Sequence, residues 1–220
     1  MADWSADDQM AVRAKQGLST LNVEYRIISD DGQEQAWDGE SVGELQVRGT
    51  SVINAYYNDE RSAEAFMDGW FRTGDVATID AEGYMQIVDR TKDLIKSVGE
   101  WISTVDLENA LMAHADVLEA TVIAVPHPKW QERPLALVVP NPNSDEPPSK
   151  DELLILLGET FEKWQLPDDF VFVDEIPKTS VGKIDKNVIR KQYEHYQLPK
   201  EKFIRVVTPP LPRIGESFRG

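Results

Sequence analysis

From Val23 to Asp89 the chain keeps interrupting its own pattern, and that rhythm limits what it can fold into. Val23-Glu24-Tyr25-Arg26-Ile27-Ile28 alternates with a period of two, and Asp30-Asp31-Gly32 then supplies a turn. Gly43-Glu44-Leu45-Gln46-Val47-Arg48-Gly49 alternates again, with Leu45 and Val47 on one face. Asp68-Gly69-Trp70-Phe71 opens a further strand, and Asp80-Ala81-Glu82-Gly83-Tyr84 reads as a hairpin signal between residues 76–79 and 84–88. Residues 58–66 have helical spacing. Short alternating strands bury one face each and need several neighbours to be stable. A small distorted barrel or sandwich is therefore expected over residues 1–89.

The character changes after Asp89. Ser103 is placed to cap a helix, with Asp106 completing a capping box and Val105, Leu107, Leu111 and Met112 as its apolar positions. Residues 117–125 and 134–139 read as buried strands, and Asn141 to Ser149 as a loop rich in Pro, Asn and Ser. Residues 150–164 read as an amphipathic helix with Leu153, Leu156, Leu157 and Phe161 on one side. A strand at 170–173 and a final helix at 184–196 complete a small α+β unit. The boundary between the two units is expected near residues 89–93. Residues 198–220 carry Pro199, Pro209, Pro210 and Pro212 with a local excess of Lys and Arg, which predicts a flexible or loosely docked tail.

Composition narrows the chemistry. There is no cysteine, which excludes disulfides, thiolate catalysis and cysteine metal sites. His114, His127 and His195 show no metal-ligand spacing, so no protein metal site is expected. A net charge of −16 argues against nucleic-acid affinity, and it means that a small anion must be held by local cations. The apolar runs, such as residues 120–125, are too short to span a bilayer, and the acidic N-terminus lacks a secretory pattern.

Three segments carry chemistry. In Pro177-Lys178-Thr179-Ser180-Val181-Gly182-Lys183, Pro177 fixes a dihedral and Gly182 permits a tight bend, so Lys183 is presented from a loop. A compact ammonium held this way suits a phosphate, or a carboxylate that gains charge during reaction. The segment is not a Walker A loop, which needs a glycine where Pro177 stands. Thr73-Gly74-Asp75 ends a strand in a Gly turn and presents a carboxylate. Such a carboxylate accepts hydrogen bonds from ribose hydroxyls, or else bonds its own backbone. Residues 89–96 put two acids and three bases into eight positions, which is either a solvated charge cluster or an exposed hinge that tolerates changed backbone angles.

Taken in this order, the three segments resemble the adenylate-forming superfamily of acyl-CoA synthetases, luciferases and peptide-synthetase adenylation domains. The resemblance covers roughly residues 15–197 and matches only the C-terminal portion of the family. It implies a mixed fold: a β-rich, barrel-like subdomain (residues 1–89), a hinge (90–93), and a small α+β lid domain (94–197). It implies that Asp75 and Arg90 bind the AMP ribose, that Lys92 is the hinge residue, and that Lys183 is the catalytic lysine of adenylation. It further implies that Lys96 and Trp101 approach the adenylate and that Gly99 admits the pantetheine arm of CoA. The stretch Ser97-Val98-Gly99-Glu100-Trp101-Ile102-Ser103, with Val98 where the family usually has glycine, is most similar to fatty acyl-CoA ligases. So is Val125-Pro126-His127-Pro128-Lys129-Trp130, although His127 and Trp130 also suit a packed surface turn.

The expected cofactors are ATP (AMP) and CoA, with Mg bound as MgATP, and the expected substrate is a fatty acid in the cytoplasm. A Ser/Thr/Gly-rich phosphate loop is not found, so a large N-terminal domain or subunit is expected as partner and the chain alone is expected to be inactive. Its β-rich part is expected to expose an apolar face. The rival readings are a non-catalytic partner module, in which the basic tail docks on an acidic or aromatic groove, and an adenylating enzyme of the aryl-CoA or luciferase type. Acetylation of Lys183 is a further expectation, because it removes a charge that matters.

Overall fold

The computed structural model describes residues 4–60, 62–97, 99–144 and 146–199. Val98 and most of the expected tail, residues 200–220, lie outside the described residues. A helix not expected from the periodicity, α1 (Ala6–Arg13), opens the chain. Its signal is local: Ser5 and Asp8 form a capping box that satisfies the first turn.

Strands β1 (Val23–Ile28) and β2 (Gly43–Gly49) follow, then a one-turn α2 (Ser62–Ala65), β3 (Phe66–Met67), β4 (Trp70–Ile79) and β5 (Met85–Arg90). They form one antiparallel sheet in the order β1-β2-β4-β3, with β5 also paired to β4. The sheet curls into a half-barrel around Ile27, Leu45, Ala77 and Ile79. Register shifts between Glu44 and Gln46 and between Val76 and Ala77 bend it, as bulges do. The helical spacing at 58–66 yields only α2, because Phe66 and Met67 pair with Phe71 and Trp70 instead of continuing the helix. Ile53, Tyr56, Tyr57 and Met67 are large apolar side chains left exposed on this unit.

After Arg90 the chain turns and enters a second sheet. Its elements are β6 (Ile95–Ser97), β7 (Glu100–Ile102), α3 (Thr104–Met112), β8 (Val117–His127), β9 (Gln131–Pro140), α4 (Lys150–Gly158), β10 (Asp169–Phe172) and α5 (Lys186–Gln192). The strand order is β10-β9-β6-β7, with β8 on β9; only the β9–β10 pair is parallel. Both faces of the sheet are covered, so residues 122–125 of β8 and 134–139 of β9 are apolar at every step. Ala120, Val122, Ala136 and Val138 face one core with Leu107, Leu111, Leu153 and Leu157 of α3 and α4. Ile123, Val125, Leu135 and Leu137 face another with Ile189 of α5.

Several helix expectations need correction. Val105 and Met112 point to solvent, while Thr104 and Glu108 are buried beside Leu107 and Leu111, because each of those polar groups has hydrogen-bond partners in the interior. Ser103 caps α3 with a single bond to the Asp106 N–H, whereas Ser149 and Glu152 make a full box at α4. Helix α4 stops at Gly158, and Phe161 reaches the core from the turn that follows. Helix α5 starts at Lys186, because the Asp185 carboxylate accepts the Asn187 and Val188 N–H groups.

Candidate functional site

The Lys183 turn is a short hairpin. Lys178 and Ile184 form an antiparallel bridge, the Thr179 N–H donates to the Lys183 carbonyl at 2.7 Å, and the Gly182 N–H donates to the Thr179 carbonyl at 2.9 Å. Gly182 has φ 81°, in the left-handed region that favours glycine. The Thr179 hydroxyl accepts the Lys183 N–H at 3.2 Å, and the Asp185 N–H donates to the Pro177 carbonyl at 2.9 Å. The backbone of the turn is thus tied down on both sides, while the Lys183 ammonium has no ion-pair partner among the described residues.

This ammonium opens onto a cleft of about 450 Å³ that is also lined by Arg90, Lys92, Asp93, Asp185, Lys186 and Arg190. Five cations and two carboxylates meet there, in a chain of net charge −16. Three of the cations are committed. Arg90 pairs with Asp75, Lys186 with Glu108 at 2.7 Å, and Arg190 with Asp93 while also donating to the Lys92 carbonyl at 3.1 Å. Among the described residues the ammonium groups of Lys92 and Lys183 have no ion-pair partner, and set against the Asp185 carboxylate they leave the cleft a net positive charge for an anion.

Asp75 and Arg90 are register partners on β4 and β5, with Arg90 Nε 3.1 Å from Asp75 Oδ1. The Thr73 hydroxyl fixes this region by donating to the Leu45 carbonyl at 2.9 Å and accepting the Asp75 N–H at 3.0 Å. Thr73-Gly74-Asp75 does not end a strand, as the pattern had suggested; it bulges within β4, because Arg72 pairs with Gln46 and Val76 with Glu44. The segment 89–96 also differs from an exposed charge cluster. Asp89 and Asp93 are 3% and 9% exposed, because Thr104 and Arg190 supply their hydrogen bonds, and only Arg90 and Lys92 are exposed.

The other expected residues lie apart from the cleft. Lys96 and Trp101 are register partners on β6 and β7, with the ammonium 5.2 Å from the ring centroid. Lys96 Nζ is also 2.6 Å from Asp30 Oδ2, so it contacts the first unit and not the Lys183 turn. Gly99 sits in the β6–β7 turn at φ 84°. Beneath this hairpin lies Arg133, 2% exposed, whose guanidinium donates to Ser97 Oγ at 3.2 Å, to the Leu166 carbonyl at 2.9 Å and to Asp168 at 2.8 Å. The neighbouring Glu132 accepts the Lys96 N–H at 2.9 Å. His127 Nδ1 accepts the N–H groups of Lys129 and Trp130, a packed turn of the kind weighed above. Sequence reasoning missed Arg133, Glu108, Lys186 and Arg190; polar residues at apolar positions of α3 were the available signal for Glu108. Among the described residues no group of three or more His, Asp or Glu converges on a metal position, and no helix is long and apolar enough to cross a membrane.

The chain is similar to several known proteins. Residues 106–183 match the AMP-binding enzyme C-terminal domain. The chain is 50% identical over 194 residues to a long-chain-fatty-acid–CoA ligase of Thermus thermophilus, covering 87% of this chain and 36% of the relative. It is 44% identical over 191 residues to a medium-chain-fatty-acid–CoA ligase of Ectopseudomonas oleovorans, covering 87% and 34%. Among solved structures it superimposes on o-succinylbenzoate CoA synthetase of Bacillus subtilis, in complex with its acyl-adenylate intermediate, with TM-score 0.74 at 30% identity, covering 90% of this chain and 39% of that one. The chain spans about a third of the length of the curated relatives it matches. It belongs to the adenylate-forming, AMP-binding enzymes and corresponds to their C-terminal portion.

Proposed function

We propose that this chain supplies the ribose contacts, the pivot and the mobile lid of an ATP-dependent fatty acyl-CoA synthetase working in the cytoplasm. The observation that carries the reading is the cleft in which the unpaired Lys183 ammonium meets Arg90 and Lys92. ATP, bound as MgATP, supplies the phosphoryl centre that a fatty carboxylate attacks to give acyl-AMP and pyrophosphate. Lys183 lies against the oxygens that gain charge, and a preorganised cation there stabilises the transition state more than the ground state. Asp75 keeps Oδ2 available for a ribose hydroxyl while Arg90 holds Oδ1. The lid then turns about Lys92, and the hairpin carrying Gly99 and Trp101 meets the acyl-AMP for attack by CoA thiolate. One lid serving two half-reactions is the reason for a pivot.

The acyl pocket and triphosphate loop are assigned to a large N-terminal domain or subunit that docks on the exposed Ile53, Tyr56, Tyr57 and Met67. The test mixes the purified chain with the separately expressed large domain of a related ligase and follows pyrophosphate release from ATP and fatty acid. Activity in the mixture only, abolished by Lys183→Ala, is the expected result. A folded chain that restores nothing overturns the proposal in favour of a non-catalytic partner module.

A further inference from the structure

Asp89 is the penultimate residue of β5, one position before Arg90, and it is 3% exposed. Its Oδ2 accepts two hydrogen bonds from Thr104, the first residue of α3: one from the backbone N–H and one from the hydroxyl, both 2.7 Å. Thr104 is fully buried. Lys186 Nζ lies 2.7 Å from the same hydroxyl oxygen and 2.7 Å from Glu108 Oε1. That Glu108 oxygen also accepts the Thr121 hydroxyl at 2.9 Å and the Val122 N–H at 2.8 Å. A continuous buried chain of polar contacts thus starts in the first sheet and ends in the second, crossing the turn at residues 90–93.

The chain has a fixed polarity. An ammonium only donates, so Lys186 occupies a lone pair of Thr104 Oγ and leaves its one proton for Asp89. Bonds with a charged partner are roughly twice as strong as neutral ones. The Lys186–Glu108 contact lies within the second unit, whereas the Asp89–Thr104 contact joins the two. Lys186 stands three residues after Lys183, and Asp89 adjoins Arg90, so the same contacts tie the Lys183 turn to the strand end that carries Arg90. Within this arrangement the Thr91 hydroxyl is buried and has no hydrogen-bond partner among the described residues, a cost that a second orientation would relieve.

We propose that Thr104 and Lys186 are positioning residues that lock the two sheets in the orientation where Lys183 and Arg90 share one cleft. Parting of Asp89 from Thr104 is the event that frees the second sheet to turn. The inference rests on the reading of Lys92 as a pivot. Among the described residues, Ser103 Oγ, 3.4 Å from the Val88 carbonyl, and Lys96, on Asp30, also cross the turn, the first contact being long and the second exposed.

The chain has no cysteine, so nitroxide labels can be placed on Glu40→Cys and Ile155→Cys alone, on exposed positions of the two units. The distance distribution between them is measured for the otherwise unchanged chain and for Thr104→Val, Thr104→Ser and Lys186→Met. We expect one dominant distance without further change and with Thr104→Ser. Thr104→Val should raise the population of a second distance about tenfold or more, the scale of losing a charged hydrogen bond. Lys186→Met keeps the Asp89–Thr104 bonds but removes the donor that orients the hydroxyl, so it should raise that population by a smaller factor. Amide exchange at Asp93 and Leu94 should accelerate by the same factor in each variant. Circular dichroism checks folding; if Thr104→Val does not fold, Lys186→Met carries the test, because Glu108 keeps its Thr121 and Val122 donors. Two distance populations of equal proportion in every variant overturn the lock and leave the pivot standing. One unchanged distance in every variant, with unchanged exchange, overturns both.

Discussion

Arg90 Nε stands 3.1 Å from Asp75 Oδ1 across the β4–β5 ladder, in a pair whose side chains are 56% and 25% exposed. An ion pair this open to solvent contributes under about 1 kcal/mol to stability. Arg90→Ala should therefore leave the melting temperature nearly unchanged. In a complex completed by a large domain, it should weaken nucleotide binding by roughly tenfold or more, since a charged hydrogen bond is lost from the carboxylate's neighbourhood. Calorimetric titration with an acyl-AMP analogue, alongside a thermal melt, separates the two effects.

Lys183→Ala is predicted to lower the adenylation rate of the completed enzyme by about two to three orders of magnitude, the usual loss for one preorganised group facing developing charge. Because the ammonium is exposed and unpaired, the folded state should lose nothing measurable. Pyrophosphate release and a urea titration of the same variant check both halves. Acetylation of Lys183 should reproduce the rate loss, since it removes the same charge.

Arg133 behaves oppositely. Its buried guanidinium holds Ser97, the Leu166 carbonyl and Asp168 together under the β6–β7 hairpin. Arg133→Met breaks a buried ion pair from one side, a change that typically costs about 3–5 kcal/mol. The urea midpoint should fall accordingly, and exchange at the amides of Lys96 and Ser97 should rise with it.

Gln131 adopts φ 66°, a left-handed conformation, without the short side chain that lets Asn22, Asn58 and Asp68 do the same. The conformation costs a residue with a Cβ about 1–2 kcal/mol, against which glycine's freedom in the unfolded chain weighs about 0.4–1 kcal/mol. Gln131→Gly should stabilise the protein by about 0.5–1 kcal/mol, read as a higher urea midpoint with unchanged slope.

Acid should weaken the fold through carboxylates held below their ordinary 3.8. The Ser41 N–H, its hydroxyl and the Glu40 N–H hold Asp38 down at about 2. Burial pushes Asp80 and Asp169 up, but hydrogen bonds from Lys15 to Asp80, and from Lys150 and Tyr196 to Asp169, outweigh it and both end lowered. A group with a depressed folded pKa contributes stability above its unfolded pKa and loses it as pH falls through the folded one. Stability should thus be level above pH 5 and decline between about pH 4 and 2. Thermal melts across that range check it, and Lys150→Met should flatten part of the decline.

The elements most legible in the sequence were those set by local pattern. The alternation in residues 23–28 and 43–49 and the hairpin around Asp80–Gly83 sit where expected, because a period of two and a Gly turn are properties of a few adjacent residues. Helix ends were less legible. Helices α4 and α5 are shorter than their apolar spacing suggested, because Gly158 and Asp185 decide where they stop and start. For the site, the turn that presents Lys183 could be read from Pro177 and Gly182 alone. That Lys183 shares a cleft with Arg90 and Lys92, some ninety residues earlier in the chain, could not.

By itself, then, the sequence determined the alternation of short strands, the switch to mixed α and β near Asp89, the family to which those motifs belong, and the side chains able to meet an anion. Only the tertiary structure decided which charges stay free. Arg190, Lys186 and Arg90 are as basic as Lys183 in the sequence, yet each is matched by a carboxylate brought in from a distant element: Asp93, Glu108 and Asp75. Charge is a property of a residue. Its compensation depends on distance in space, since Coulomb attraction and hydrogen bonding act over a few ångströms whatever the separation along the chain.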